Sequence, residues 1–144
     1  MAEAAHAAAQ EEVEVRLQRA EDTQPDDLLR ADGYIFAAPE NLAALSGEMK
    51  AFFDRSYYPL LGRIEGRPYA QMVCAGSDGD NAARQTARIA TGWRLKQVQN
   101  PLIICTHAQT EVEILAKKTI PNADLERCRA LGSALGAGLA LGVF

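Results

Sequence analysis

Two short loops carry the residues that could bind a ligand or take part in chemistry. Residues 76–81 read Gly-Ser-Asp-Gly-Asp-Asn, and residues 39–45 read Pro-Glu-Asn-Leu-Ala-Ala-Leu; each loop follows a continuous apolar run. The two glycines of the first loop allow close approach of a flat ligand, and a helix that begins there presents free N–H groups to an acceptor or anion. An ordinary capped strand-to-helix turn explains the same residues, and a Pro-terminated strand with a polar turn explains the second loop.

A third loop, 106–118, follows another apolar run and contains His107. An imidazole there could donate a proton or contact a phosphate, although a structural role is the simpler interpretation. The pair Asp54 and Arg55 is interpreted as an ion pair or a loop clamp. The sequence has no GxGxxG, P-loop or GxSxG motif, and no His, Cys or carboxylate spacing suited to a metal. We therefore predict no catalytic residue and no metal site.

Runs of apolar residues predict the strands that position these loops. Residues 34–38, 70–75 and 101–105 are continuously apolar or nearly so, which predicts strands covered on both faces. Pro39 is predicted to stop the first of them. Residues 13–17 alternate apolar and polar side chains, which is typical of a half-buried or edge strand.

Helices are predicted between these strands. We expect a helix over 1–11, a short helix after Pro25, a helix from about Asp80, and helices with Ser46 and Asn122 as their N-caps. Gly92 is predicted as the C′ residue of the helix over 80–91. Three glycines in the last helix are expected to let it approach the sheet closely.

Alternation of apolar strands with helices predicts one α/β domain over residues 1–144, a parallel sheet with helices on both faces. In such a sheet, ligands bind beyond the carboxyl ends of the strands, where all three loops lie.

Composition excludes several classes of protein. A formal net charge of -4 argues against a nucleic-acid surface, and no apolar stretch is long enough to span a membrane. The Ala-rich start lacks the basic and continuous apolar regions of a signal peptide. Three widely spaced cysteines favour free thiols in a reducing compartment, so a cytoplasmic location is predicted.

The chain resembles the flavodoxin-like family in the order of its segments. A strand and a Pro-loop lead to a helix with the pattern Ser-Gly-x-Met-Lys-x-Phe-x-Asp-Arg, and Gly-Arg-Pro then precedes a buried strand and a Gly-rich loop. Residues 46–55 and 66–79 carry these motifs. The likeness is strongest to NAD(P)H-dependent FMN reductases and to quinone reductases similar to Trp-repressor-binding protein. It implies a parallel sheet of order 2-1-3-4-5 with FMN at its switch point, fed by NAD(P)H and passing hydride or electrons to quinones or other small acceptors.

The resemblance also implies the cofactor-binding residues. One loop would line a face of the flavin ring, a second would contact the ring edge, and His107 is kept as a candidate contact. The predicted cofactor-binding residues are Pro39, Glu40, Asn41, Leu42, Ala43, Gly76, Ser77, Asp78, Gly79 and His107. Glu40 stands where many relatives have a neutral residue, so its carboxylate would either disfavour an anionic reduced flavin or accept a hydrogen bond from a flavin N–H.

Relative to the family, the sequence lacks the first strand and the phosphate loop, because Met1 falls inside the first helix. A start assigned too late, a truncated paralogue and a strand supplied by a partner each explain this. FMN binding is therefore conditional, and the alternatives are a flavin-free interaction or scaffold domain and a flavodoxin-type electron carrier. Unpaired sheet edges predict an unstable or homo-oligomeric protein.

Overall fold

A computed structural model describes all residues, 1–144, and contains five strands. Three strands of four to eight residues run parallel, and two strands of two residues each extend the sheet. The strands are β1 (Tyr34–Asn41), β2 (Ala44–Leu45), β3 (Pro68–Ala75), β4 (Lys96–Gln97) and β5 (Leu102–Cys105). β1 lies beside β3, which pairs with β5 and, at its start, with β4. The register pairs Phe36 with Gln71 and Met72 with Leu102.

Six helices connect and cover the strands. They are α1 (Ala2–Ala9), α2 (Pro25–Leu29), α3 (Gly47–Leu60), α4 (Asp80–Gly92), α5 (Glu111–Leu115) and α6 (Asn122–Ala140). None of them is both long enough and apolar enough to cross a bilayer.

The core has two parts, one on each face of the sheet. On one face, β1 and β3 pack against α3 and α4 through an aromatic cluster that includes Phe36, Phe53 and Trp93. On the other face, Ala70 and Met72 of β3 meet α1 and α6. Because successive side chains of a strand point to opposite faces, a continuously apolar strand needs helices on both sides. The predicted three-layer α/β fold is confirmed.

The alternating segment 13–17 is not a strand, so that prediction was wrong. Residues 14–18 make no backbone hydrogen bond, and they are mostly exposed. An alternating pattern shows that a segment is suited to a sheet edge, but a strand also needs a neighbour at hydrogen-bonding distance. No such neighbour lies beside this segment.

Pro39 does not end β1, which continues to Asn41. The carbonyl of Pro39 accepts a hydrogen bond from Ser46 N–H, on the edge away from β3. A backbone N–H at position 39 would face that same edge, so proline removes no hydrogen bond between β1 and β3. Proline is tolerated in a strand at such a position. The chain then turns through Leu42 and Ala43, and β2 pairs back antiparallel on β1.

Several helix boundaries differ from those predicted. Gly92 lies inside α4, and Arg94 instead adopts the left-handed conformation, with φ of 55°. Gly92 has another role, because a Cβ there would lie 2.2 Å from the Tyr57 hydroxyl. Asn122 is the first residue of α6, with Pro121 as its N-cap, and the loop predicted over 106–118 contains the short helix α5.

The glycines of α6 do not face the sheet as expected. A Cβ at Gly132 would lie 2.1 Å from the Ala5 carbonyl oxygen, and one at Gly136 would lie 3.1 Å from that of Ala9. These two glycines therefore let α6 pack closely against α1. Gly138 instead meets the ring of Phe144 in the C-terminal tail.

Arg55 is a loop clamp, which confirms one of the two interpretations of the Asp54–Arg55 pair. Its guanidinium donates to the carbonyls of Ala20, Glu21 and Thr23, whereas Asp54 accepts from Lys50. Arg67 clamps the end of α2 in the same way, with 2.6 Å to the Ala31 carbonyl.

Candidate functional site

The three predicted loops meet at the carboxyl end of the sheet. β1, β3 and β5 are parallel, and Pro39, Cys74 and Ile104 lie side by side in the register. The loops that leave these strands therefore begin at one edge. All ten predicted cofactor-binding residues belong to these loops or to the last residues of β1.

A carboxylate joins the first two loops. Glu40 Oε2 accepts a hydrogen bond of 2.9 Å from the backbone N–H of Gly79. The other oxygen, Oε1, is buried and has no partner. Buried acceptors are normally satisfied, so this oxygen is available to a donor that the chain itself does not supply. Glu40 thus holds the two loops together and keeps one acceptor free.

Two amides of α4 strengthen this connection. Asn81 Nδ2 donates to the Ala43 carbonyl at 2.6 Å, and Gln85 Oε1 accepts from Leu45 N–H at 2.8 Å. Both fix the hairpin formed by β1 and β2 against α4. Sequence reasoning missed these two residues, because their partners lie about 40 positions away and no local pattern marks them.

The hairpin turn holds two residues in a conformation that suits neither of them. Leu42 and Ala43 have φ of 51° and 58°, as a two-residue type I′ turn requires. Such turns favour Asn-Gly, because left-handed backbone costs an ordinary residue about 1–2 kcal/mol. The Leu42 side chain is also fully exposed, at 102%. Backbone strain together with an unpacked apolar side chain is typical of a surface that a ligand covers.

In the second loop, the fold requires glycine at position 79. It adopts φ of 89°, and a Cβ there would lie 2.5 Å from Ile103 Cγ2. Gly76, by contrast, faces open space. Asp78 Oδ1 accepts from Asp80 N–H at 3.1 Å, as the capping interpretation predicted, whereas Ser77 is exposed and makes no side-chain hydrogen bond.

The third loop lies against the second. His107 N–H donates to the Gly76 carbonyl at 2.8 Å, and its own φ is 54°. Its imidazole is exposed and makes no hydrogen bond within the chain. Cys105, which no sequence signal marked, donates its thiol to the Asp78 carbonyl at 3.5 Å.

The thiols of this edge are not activated. Desolvation raises the pKa of Cys105, and the carboxylates of Asp78 and Glu40 raise it further. Desolvation also raises the pKa of Cys74. A nucleophilic cysteine needs a lowered pKa, so the chemistry of this edge is not that of a thiolate.

A cavity lies away from these loops, along the free edge of β1. Its volume is about 1030 Å³, and of the ten predicted site residues only Pro39 lines it. Apart from Pro39, no residue of the three loops lines this cavity.

Comparison with known proteins places the chain in a family. Residues 26–110, more than half of the chain, match the sequence profile of NADPH-dependent FMN reductase. A flavodoxin of Aquifex aeolicus is 39% identical over 67 residues, which is 46% of this chain and 34% of that protein. The chain thus matches about a third of the length of that curated relative.

Solved structures show the same fold at low identity. A flavodoxin from the domain Archaea superimposes with a TM-score of 0.74 at 16% identity, covering 96% of this chain and 87% of the other. A WrbA-like flavodoxin from Agrobacterium tumefaciens gives 0.66 at 20% identity, covering 97% and 87%. The chain belongs to the NADPH-dependent FMN reductase family and has the flavodoxin-like fold.

Proposed function

We propose that the carboxyl edge binds FMN, and that the protein passes hydride or electrons from NAD(P)H to a quinone or another small acceptor. The observation that carries this proposal is the Glu40–Gly79 hydrogen bond. It joins the two loops predicted to hold the flavin ring and leaves one carboxylate oxygen without a partner. Membership of the family supports the same cofactor.

The residues present fit a flavin ring. Leu42 offers an apolar surface, the buried Oε1 of Glu40 offers an acceptor for a ring N–H, and exposed backbone from Gly76 to Asp78 borders the ring edge. Flavin, when bound, supplies the hydride and one-electron chemistry. The protein would hold and orient the ring and limit its contact with water, which requires no acid–base side chain. The loops 39–45 and 76–79 contain no lysine or arginine, and the cations of the loop 106–118 are Lys117 and Lys118, of which Lys118 donates to the carbonyls of Ile114 and Ala116.

Titration with FMN tests the binding step. Purified protein should show flavin absorbance or, after FMN is added, saturable quenching of flavin fluorescence. NADPH oxidation that depends on both FMN and a quinone would then support a reductase. Protein that stays colourless and shows no saturation would contradict the proposal and favour the flavin-free interaction domain.

An electron carrier is the second candidate, because the matched relatives are named flavodoxins. A carrier would bind FMN and exchange electrons with a chemical reductant, but it would not oxidise NADPH by itself. The NADPH assay therefore separates the two functions. A cytoplasmic location, a single domain over 1–144 and a homo-oligomeric state remain predictions, and light scattering of the purified chain tests the last.

Glu40→Gln is expected to weaken FMN binding about tenfold with little loss of stability. The glutamine oxygen can still accept from Gly79 N–H, but its NH₂ group then replaces the free acceptor and cannot receive a flavin N–H. A hydrogen bond to a charged group contributes about 1.5–3 kcal/mol, which corresponds to tenfold or more in Kd. Fluorescence titration measures the change.

Glu11→Gln is the matched control, because Glu11 is exposed and its side chain makes no hydrogen bond. Like Glu40→Gln, this variant removes one negative charge, but it lies outside the three loops. If Glu40→Gln left the Kd unchanged or tightened it, charge repulsion would outweigh the hydrogen bond, and the assigned role of Oε1 would be wrong.

Leu42→Gly is expected to raise stability while it lowers FMN affinity. Glycine relieves left-handed strain, and the fully exposed leucine gives up no packing, so unfolding should cost about 1 kcal/mol more. The lost apolar contact with the ring, about 1 kcal/mol, weakens binding roughly fivefold. Leu42→Ala separates the two effects, since it loses the contact but keeps the strain. Equal FMN affinity in all three proteins would show that Leu42 does not touch the ring.

A further inference from the structure

The segment between β5 and α6 contains a helical turn that packs against no other element. α5 spans Glu111–Leu115, and none of its residues is buried. It makes no extended contact with any strand or other helix. Val112 and Leu115 are three positions apart, so they share one face of the helix. Their side chains are 80% and 76% exposed, and this apolar face therefore has no partner within the chain.

Hydrogen bonds within the same segment hold α5 in shape. At its start, Glu113 Oε2 accepts from Thr110 N–H at 2.9 Å, and Thr110 Oγ1 accepts from Glu113 N–H at 3.3 Å. At its end, Lys118 Nζ donates to the Ile114 carbonyl at 2.7 Å. Caps at both ends offset the cost of so short a helix. Residues 109–118, which we call the α5 unit, thus keep their shape without support from the sheet.

Both ends of the α5 unit are held at the carboxyl edge. Before it, His107 N–H donates at 2.8 Å to the carbonyl of Gly76, the first residue of the loop proposed to border the flavin ring. His107 has φ of 54°, and such strained backbone is common at ligand clamps and switch regions. At the other end, desolvation raises the pKa of Cys74 and the charge of Lys118 opposes that shift, so Lys118 lies near the end of β3.

The α5 unit is long enough to reach across this edge. β3 lies between β5 and β1, and neighbouring strands are about 4.8 Å apart, so the ends of β5 and β1 are about 10 Å apart. Five residues separate His107 from Val112, and an extended chain of that length spans up to about 17 Å. The apolar face of α5 can therefore reach the side of the edge where Leu42 is exposed.

We propose that the α5 unit is a lid that closes over the carboxyl edge when FMN is bound, with Val112 and Leu115 packed against the flavin ring. This inference rests on the proposed function and adds to it the segment that covers the ring. The ring is the occupant because the unit is tethered to the loop that borders it, and because a flat, largely apolar surface matches two exposed aliphatic side chains. Closure keeps water from the ring.

The first test is amide hydrogen exchange of the full chain, with and without saturating FMN. The Ile114 and Ala116 amides donate to the carbonyls of Thr110 and Val112, so they report on α5. Exchange at both amides should be fast in the free protein, because the turn is exposed and packs on nothing. Bound FMN should slow it at least tenfold.

The C-terminal tail is the control for hydrogen exchange. Residues 141–144 are exposed, as α5 is. Leu139, just before them, lies against Gly33 at the start of β1, so the tail is at the opposite end of the sheet from the three loops. FMN should leave exchange in the tail unchanged.

The second test removes the apolar face of α5. The double variant Val112→Ser/Leu115→Ser should release FMN at least tenfold faster in stopped-flow fluorescence, because the closed lid loses its apolar contact with the ring. Both side chains are exposed, so its melting temperature should stay that of the wild type. Val112→Ile/Leu115→Met keeps an apolar face and should release FMN within about twofold of the wild-type rate. Val143→Ser, an exposed apolar position of the tail, should have no effect.

Three results would overturn the lid while FMN still binds. The first is unchanged exchange at Ile114 and Ala116 on FMN binding, and the second is a wild-type release rate in the serine variant. The third is a chain that self-associates with these amides already protected without FMN, which would assign the apolar face to a second copy. Protein that binds no FMN would overturn the proposed function and the lid together, so the FMN titration distinguishes the two failures.

Discussion

Replacing Gly79 with alanine is expected to lower the free energy of unfolding by about 3 kcal/mol. Left-handed backbone at φ of 89° costs alanine about 1–2 kcal/mol, and the new Cβ would lie 2.5 Å from Ile103 Cγ2, an overpacking worth about 1–3 kcal/mol. Alanine also lowers the conformational entropy of the unfolded chain, but this stabilises the folded protein by only about 0.4–1 kcal/mol. Thermal unfolding followed by circular dichroism should show the melting temperature fall by roughly 10 °C.

The same substitution should also weaken FMN binding. Gly79 donates its N–H to Glu40, so a shift of this residue loosens the connection between the two loops. Gly76→Ala is the matched control in the same loop, because nothing lies within 4 Å of its added Cβ and its φ is not positive. We expect it to change stability by less than about 0.5 kcal/mol. Equal melting temperatures for the two variants would contradict this account of Gly79.

Gly132→Ala is expected to separate α1 from α6. A Cβ at this position would lie 2.1 Å from the Ala5 carbonyl oxygen and 2.7 Å from its carbonyl carbon, and backbone cannot move aside as a flexible side chain can. Alanine gains about 1 kcal/mol of helix propensity. The clash outweighs this gain, because the well-packed Ala5 and Ala9 must leave their places, and the net loss should be about 3 kcal/mol.

The readout for Gly132→Ala is local as well as global. Amide hydrogen exchange should accelerate through residues 2–9, since this helix is held largely by its contact with α6. Gly47→Ala is the control, because Gly47 begins α3 and faces open space, so alanine should be neutral or slightly stabilising. Unchanged exchange in α1 would show that the two helices can separate slightly without cost.

Local patterns were enough to predict the main elements. The apolar runs at 34–38, 70–75 and 101–105 are strands in the structure, and the helices after Ser46 and Gly79 begin where capping residues and glycine indicated. These predictions succeed because burial on both faces leaves a continuous apolar signal that needs no knowledge of the partner. Residues 13–17 show the limit, since an alternating pattern cannot reveal whether a neighbouring strand is present.

The hairpin at 40–45 shows another limit. Leu42 and Ala43 are poor residues for a type I′ turn, so propensity gave no sign of it. Hydrogen bonds from Asn81 and to Gln85 hold the hairpin against α4, and these contacts join positions about 40 residues apart. Tertiary contacts override local preference here, as they often do near functional sites.

The sequence by itself determined the class of fold and predicted the edge where a ligand would bind, with the three loops that form it. Each of these follows from the order of apolar runs and from the rule that parallel strands end at one edge. Only the tertiary structure decided what the residues of that edge do. It made Glu40 a connection between two loops and exposed Leu42 on a strained turn. It also placed a cavity of about 1030 Å³ beside β1. Hydrogen-bond partners and empty space depend on distances between segments far apart in the chain, and no local pattern encodes them.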